Sequence, residues 1–221
     1  MQIAIWGQAL LRCALDLLAP ERCAACESLE PSQSGFCDSC GEPQALLDVA
    51  CHVEGVPVFA GVRYGEPMVS AIHRFKYGAA PELCRPLAAW SVRGIDLLGV
   101  EASDVWVPVP LHPLRLAERG YNQSTLVARE LARVAHGTVD PRRLQRIVHT
   151  AQQAKRDRNE REQNVSAAFA ARPRACRARV VLVDDVVTSG ATLAACIRVL
   201  HAAGDRVVGC VAVAHAATSA A

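Results

Sequence analysis

The sequence predicts an α/β protein built on a central parallel sheet, preceded by a small cysteine-rich module. Three observations carry that expectation. The apolar run Val180-Val181-Leu182-Val183 reads as a strand buried on both faces. A helical stripe follows it, with Leu193, Cys196, Ile197 and Leu200 at i, i+3, i+4 and i+7. Strand-like and helix-like runs then alternate from about Gly55 to Val213, which is the pattern of layered α/β folds.

A chain of 221 residues has room for one medium domain and a small module. Its 51% hydrophobic and 21% charged content is ordinary for a globular protein. The net charge of +2 is unevenly placed. Residues 142–179 hold eleven Lys/Arg against Asp157, Glu160 and Glu162, so that segment is +8 and the remainder −6. Such asymmetry suggests an anionic partner; the plainer reading is a solvated arginine-rich surface. No run of 18 uncharged apolar residues occurs, so no membrane-spanning helix is expected.

Taken in order, the chain begins with apolar residues including Ile3, Trp6, Leu10, Leu15 and Leu18. They lack a basic leader, and Arg12 and Asp16 interrupt them. A short amphipathic helix is expected here rather than a signal peptide, with a cytoplasmic location. Cys23-Ala-Ala-Cys26 and Cys37-Asp-Ser-Cys40 then form two Cys-x-x-Cys pairs ten residues apart. Each pair can place two thiolates on one ion, so Cys23, Cys26, Cys37 and Cys40 make a closed structural Zn²⁺ site. Disulfides or a redox pair are the other readings. The remaining six cysteines (13, 51, 84, 176, 196 and 210) are expected to be small buried hydrophobes.

Val56, Val58, Ala60 and Val62 alternate as a strand, and Met68, Ile72 and Phe75 mark a helix that ends before Gly78. Lys76, next to that glycine, is equally a phosphate ligand or an exposed cation. Asp104 to Pro110 reads as a short strand stopped by prolines. Arg115 and Arg119 fall in the loop that follows, and Asn122 or Ser124 can cap the next helix, which carries Leu126, Val127, Leu131 and Val134. Strand end, arginine loop and helix start together describe a phosphate-binding turn. Leu144 to Val148 suggests another strand. Residues 150–169, with Gln153, Arg158, Arg161 and Asn164, read as a solvated helix or as a lid that closes over an anion. Val207 to Val213 supplies a last buried strand.

The stretch Val180 to Thr192 organises the whole. Asp184 and Asp185 close the strand, Thr188-Ser189-Gly190-Ala191-Thr192 make a hydroxyl-rich turn, and a helix starts there. Free N–H groups at a helix start favour a phosphate. The acid pair can accept hydrogen bonds from sugar hydroxyls or help hold hydrated Mg²⁺. A turn that merely caps its helix is the plain alternative, though one capping residue would suffice for it.

This stretch resembles the phosphoribosyl-pyrophosphate (PRPP) motif of type I phosphoribosyltransferases. The order of the other pieces is similar to the ComF family: an apolar helix, four cysteines, Lys76-Tyr77-Gly78, Pro108-Val109-Pro110 with Arg119-Gly-Tyr-Asn-Gln123, Gln153 with Arg158, Arg161 and Asn164, then Ala168-Phe169 and the PRPP motif. The resemblance implies a type I phosphoribosyltransferase-like doubly wound parallel sheet over 56–221, with an N-terminal helix and zinc module over 1–55. It gives the ribose hydroxyls to Asp184 and Asp185 and the 5′-phosphate to residues 188–192. Lys76 and Arg119 become cationic helpers for pyrophosphate, and Asp184, Asp185 and Arg119 the candidate catalytic groups. Displacement of pyrophosphate from C1 of PRPP, with Mg²⁺, is the implied chemistry, and DNA uptake in competent bacteria the implied role. The acceptor is left open. The alternative from another class is a non-catalytic zinc-bearing factor that uses the fold to bind single-stranded DNA.

Overall fold

The computed structural model describes residues 22–29, 31–147, 168–173 and 176–216. The expected N-terminal helix, Cys13, Val148 and residues 150–167 of the expected lid lie outside the described residues.

Six strands form the central sheet: β1 (Cys51–Val53), β2 (Val56–Arg63), β3 (Val105–Pro108), β4 (Thr138–Val139), β7 (Arg179–Val187) and β8 (Arg206–His215). Their order is β1-β2-β8-β7-β3-β4, and only β1 runs antiparallel to its neighbour. A separate antiparallel pair joins β5 (Leu144–Arg146) to β6 (Phe169–Ala171). The strand expected from Leu144 is β5, in the second sheet, while β4 just before it belongs to the first, because the turn at 140–143 redirects the chain.

Period-two alternation in β7 decides how the layers stack. Val181 and Val183 face one core with α1 (Met68–Tyr77), α2 (Cys84–Ala89) and α5 (Gln123–Val134). Val180 and Leu182 face the other, where Leu193, Cys196, Ile197 and Leu200 of α6 (Ala191–Ala202) pack. All four strand residues are fully buried, as their unbroken apolar run requires. β3 and β7 are parallel neighbours, yet the helices that follow them cover opposite faces. The crevice between them is thus a switch point at the carboxyl ends of the strands, where open α/β sheets place their ligands.

The structure alters three details of the sequence reading. β7 does not stop at the acid pair: β8 continues the ladder, pairing Asp184 with Ala212 and Val187 with His215, while β3 ends opposite Val183. The carboxylates therefore sit at the step where one neighbour stops and the other goes on. Arg115 and Arg119 lie on a short helix, α4 (Pro113–Arg119), capped by His112 and ended by Gly120 at φ 82°. Finally, Cys196 and Cys210 are buried, but Cys51 and Cys84 are half-buried and Cys176 is exposed, since an arginine-flanked connector has no core to enter. With α3 (Arg93–Leu97) the described α-helices are six.

Candidate functional site

The turn after β7 is shaped by Gly190. It caps α6 at φ 75°, and a Cβ there would come within 2.8 Å of the Val53 side chain on β1, so both conformation and space require glycine. Thr188 and Ser189 are exposed on this turn, with Ser189 Oγ accepting from Ala191 N–H at 3.5 Å, and Thr192 lines the cleft above the acid pair.

Lys76, at the end of α1, crosses to Asp185 with Nζ 2.9 Å from Oδ1. Asp184 Oδ1 accepts from Ser124 Oγ at 3.1 Å and from Asp185 N–H at 2.9 Å. Ser124 stands in the first turn of α5, whose cap is Asn122: its side chain accepts from Ser124 N–H and donates to Val109 O at 2.9 Å. The first expected cap is therefore the one used, and it also ties α5 to the end of β3. Burial and the charge of Asp185 push the Asp184 carboxyl up to about 7, against Lys76, the Asp185 N–H and Ser124.

Arg119 donates to Gln123 Oε1 at 2.5 Å and lies 5.0 Å from the centre of the Tyr77 ring. A cavity of about 320 Å³ opens beside it, lined by Lys76, Tyr77, Ala79, Arg115, Glu118 and Arg119. A second, of about 150 Å³, shares Lys76, Tyr77, Arg115 and Arg119 with it and reaches Asp184, Asp185 and Thr192. Together they make one cleft with cations on one wall and the acid pair at its floor. Of the candidate residues, Lys76, Arg119, Asp184, Asp185 and Thr192 meet here, while Thr188 to Ala191 form the turn at its rim.

Arg115, expected with Arg119 in a phosphate-binding turn, also lines the cleft, and so does Arg146, which the sequence did not single out. Arg146 comes from β5, lies 5.5 Å from the centre of the Phe169 ring, and is lowered by burial and by Arg115. No local pattern marks it, because only the small second sheet carries it to the site. Lys76 did have an unused signal: it is one of two lysines, with Lys155, among 24 basic residues.

The cysteines form a second centre. The sulfurs of Cys23, Cys26, Cys37 and Cys40 all lie within 4.8 Å of one another, and those of Cys26 and Cys37 are 3.5 Å apart. A tetrahedral zinc with bonds of about 2.3 Å needs sulfur separations of about 3.8 Å, so the donor set and its spacing fit the metal. Burial raises the Cys23 thiol, but backbone N–H groups of Cys26, Cys37 and Ala25 outweigh it and bring it down to about 6. The cluster could hold zinc.

Against known proteins, the family described as "Phosphoribosyl transferase domain" matches residues 122–221. "DNA utilization protein YhgH" of Escherichia coli K12 is 28% identical over 182 residues, 78% of this chain and 80% of that protein. "Competence protein ComFC" of Bacillus subtilis is 28% identical over 194 residues, 81% and 78% of the two chains. "Competence protein F" of Haemophilus influenzae is 33% identical over 137 residues, 59% of this chain and 60% of that one. Its homologues are competence and DNA-utilization proteins. The chain carries a phosphoribosyl transferase domain on an α/β sheet, with the four-cysteine cluster ahead of it. A solved structure, that of TT1426 from Thermus thermophilus, aligns at 21% identity over 62% of this chain and 85% of that one, with a TM-score of 0.37. Among the described residues no helix is long and apolar enough to cross a membrane.

Proposed function

We propose that the cleft binds PRPP with Mg²⁺ and that the protein serves DNA uptake or use, as the names of its homologues suggest. In this reading Asp184 and Asp185 take the ribose hydroxyls, and residues 188–192 take the 5′-phosphate at the start of α6. Lys76 and Arg119, joined by Arg115 and Arg146, face the pyrophosphate. One observation carries it: a like-charged carboxylate pair lies at a switch point opposite converging cations. Such a pair fits a divalent cation, which would offset the burial and the Asp185 charge that together push Asp184 up to about 7. Mg²⁺ would supply charge neutralisation of the departing pyrophosphate. The chain's own part is to orient C1 and to set cations where negative charge develops.

Calorimetry of PRPP with Mg²⁺ tests the assignment. Asp185→Asn keeps the shape but loses a charge-assisted hydrogen bond worth about 1.5–3 kcal/mol, so affinity should fall about tenfold to a hundredfold. Thr188→Val should weaken ribose 5-phosphate as well. Wild-type protein that ignores PRPP would make the motif a structural remnant.

A second reading has its own support. Tyr77 is 65% exposed at the mouth of the cleft, beside Lys76, Arg115 and Arg119. An exposed ring among cations suits base stacking, so single-stranded DNA is the other candidate ligand, bound without ribose transfer.

A further inference from the structure

α1 touches the cysteine module and the cleft with residues only two positions apart. Arg74 donates to the carbonyls of Cys23 and Ala24 at 3.0 and 2.6 Å and pairs with Glu27 at 2.6 Å. Lys76 reaches Asp185. Residues two apart on a helix point about 200° from each other, so the helix stands between module and site like a rung. Its last turn is also fixed from the side. The Phe75 carbonyl, one of the four that the helix end leaves open, accepts from Tyr121 OH at 2.6 Å and from Gln123 Nε2 at 3.2 Å. Gln123 in turn accepts from Arg119, and the next residue, Ser124, donates to Asp184.

The module is packed against this turn as well as bonded to it. Ala24, Phe36 and Cys37 share one apolar cluster with Ala71 and Phe75 of α1 and with Leu83 and Leu87 beyond it. Besides the Glu27 carboxylate just past it, Arg74 is held by two carbonyls of the first Cys-x-x-Cys turn, whose shape depends on both cysteines pointing inward at a common centre. Metal binding and the folding of such a turn are one equilibrium. Losing the metal would release the two carbonyls that hold Arg74, and with them the setting of the last turn of α1.

From this geometry we infer that Arg74 is a positioning residue: it transmits the state of the four-cysteine module to Lys76, so that zinc occupancy sets the anion affinity of the cleft. The affinity part rests on the PRPP reading; the mechanical link does not.

The chain contains only two lysines, so selective ¹³C-lysine labelling reads Lys76 directly, assigned by its loss in Lys76→Met. In the full zinc-loaded chain, Arg74→Met should move the Lys76 side-chain signal toward that of free lysine and raise the Kd for PRPP about three- to tenfold. Arg74→Lys, which can still donate to a carbonyl, should recover part of both. Removing zinc with a chelator should move the same signal in the same direction. In a Lys76→Met background Arg74→Met should change PRPP affinity less than twofold, because neighbours that act through one another are not additive. A Lys76 signal that stays in place in Arg74→Met and after chelation overturns the link. So does an Arg74→Met effect of equal size with and without Lys76. If wild type ignores PRPP, the PRPP reading fails alone, and the Lys76 signal still decides the coupling.

Discussion

Two ion pairs in this molecule look alike on paper and differ in everything that follows. Arg143 Nε lies 2.6 Å from Asp205 Oδ2 with both side chains almost fully buried, and the second Asp205 oxygen accepts from Ala178 N–H at 3.1 Å. Lys76 lies 2.9 Å from Asp185 with both partners slightly open to solvent. The first carboxylate is used up, since each oxygen has a donor inside the fold. The second belongs to a pair of acids that share one lysine at the bottom of a cleft. A structural carboxylate is satisfied inside the fold, whereas the acid pair of a site keeps binding capacity to spare.

The largest effect should come from breaking the closed pair. Arg143→Met leaves Asp205 buried without its cation and should cost about 3–5 kcal/mol. Lys76→Met removes a pair that water can reach, and should cost no more than about 1 kcal/mol. Denaturant unfolding measures both. In the double variant Arg143→Met with Asp205→Asn the loss should be well below the sum of the single losses, since the charge that Arg143→Met strands is gone. Equal costs at 143 and 76 would erase the distinction.

The contrast also explains what could be read without a structure. The hydroxyl-rich turn before α6, the α6 stripe and the cysteine spacing are local patterns, each confined to fewer than twenty residues, and the structure has a turn, a buried helix face and a four-sulfur cluster there. What stayed hidden depends on residues distant in the chain. Arg143 and Asp205 are 62 positions apart, and nothing near either marks it as buried. The length of β7 was misread because it is set by β8, which keeps pairing beyond the acids. The arginines at 115 and 119 looked like loop residues because a seven-residue helix, with no buried side chain, leaves almost no apolar stripe to detect.

The acid pair itself supplies an intermediate effect. Asp184 is held at about 7 in the fold against an ordinary 3.8, so the native state binds its proton more tightly than the unfolded chain does. Its contribution to stability is therefore complete below the unfolded value and fades as pH rises through about 7. Asp184→Asn keeps the acceptor for Ser124 and removes the charge. It should stabilise the fold clearly at pH 8, by an increment on the order of 1–3 kcal/mol, and little below about pH 4. The same variant should flatten the rise in PRPP affinity expected between pH 6 and pH 8. A stabilisation that is the same at both pH values would mean that burial and the Asp185 charge do not push the Asp184 carboxyl up.

The smallest effect concerns the basic segment, and it separates closed from open cations there too. Of the eleven Lys/Arg in 142–179, Arg143 is sealed against Asp205, and Arg179 is held by Asp104 at 2.7 Å and by Glu101 at 3.1 Å. Those two add to the formal charge of +8 without offering it to a ligand. Arg156, Arg158 and Arg161 lie outside the described residues, and their neighbours along the chain include the three acids of the segment. If the segment meets single-stranded DNA, affinity should fall with salt, and replacing these three arginines by Ala should reduce the log–log salt slope by up to about 2. Arg179→Met should leave that slope unchanged, because its charge is already answered inside the fold. Binding titrations of a fluorescent oligonucleotide at several salt concentrations measure both slopes. A triple variant with the wild-type slope, or an Arg179 variant that loses as much, would show that formal charge along the chain is no guide to which cations are available.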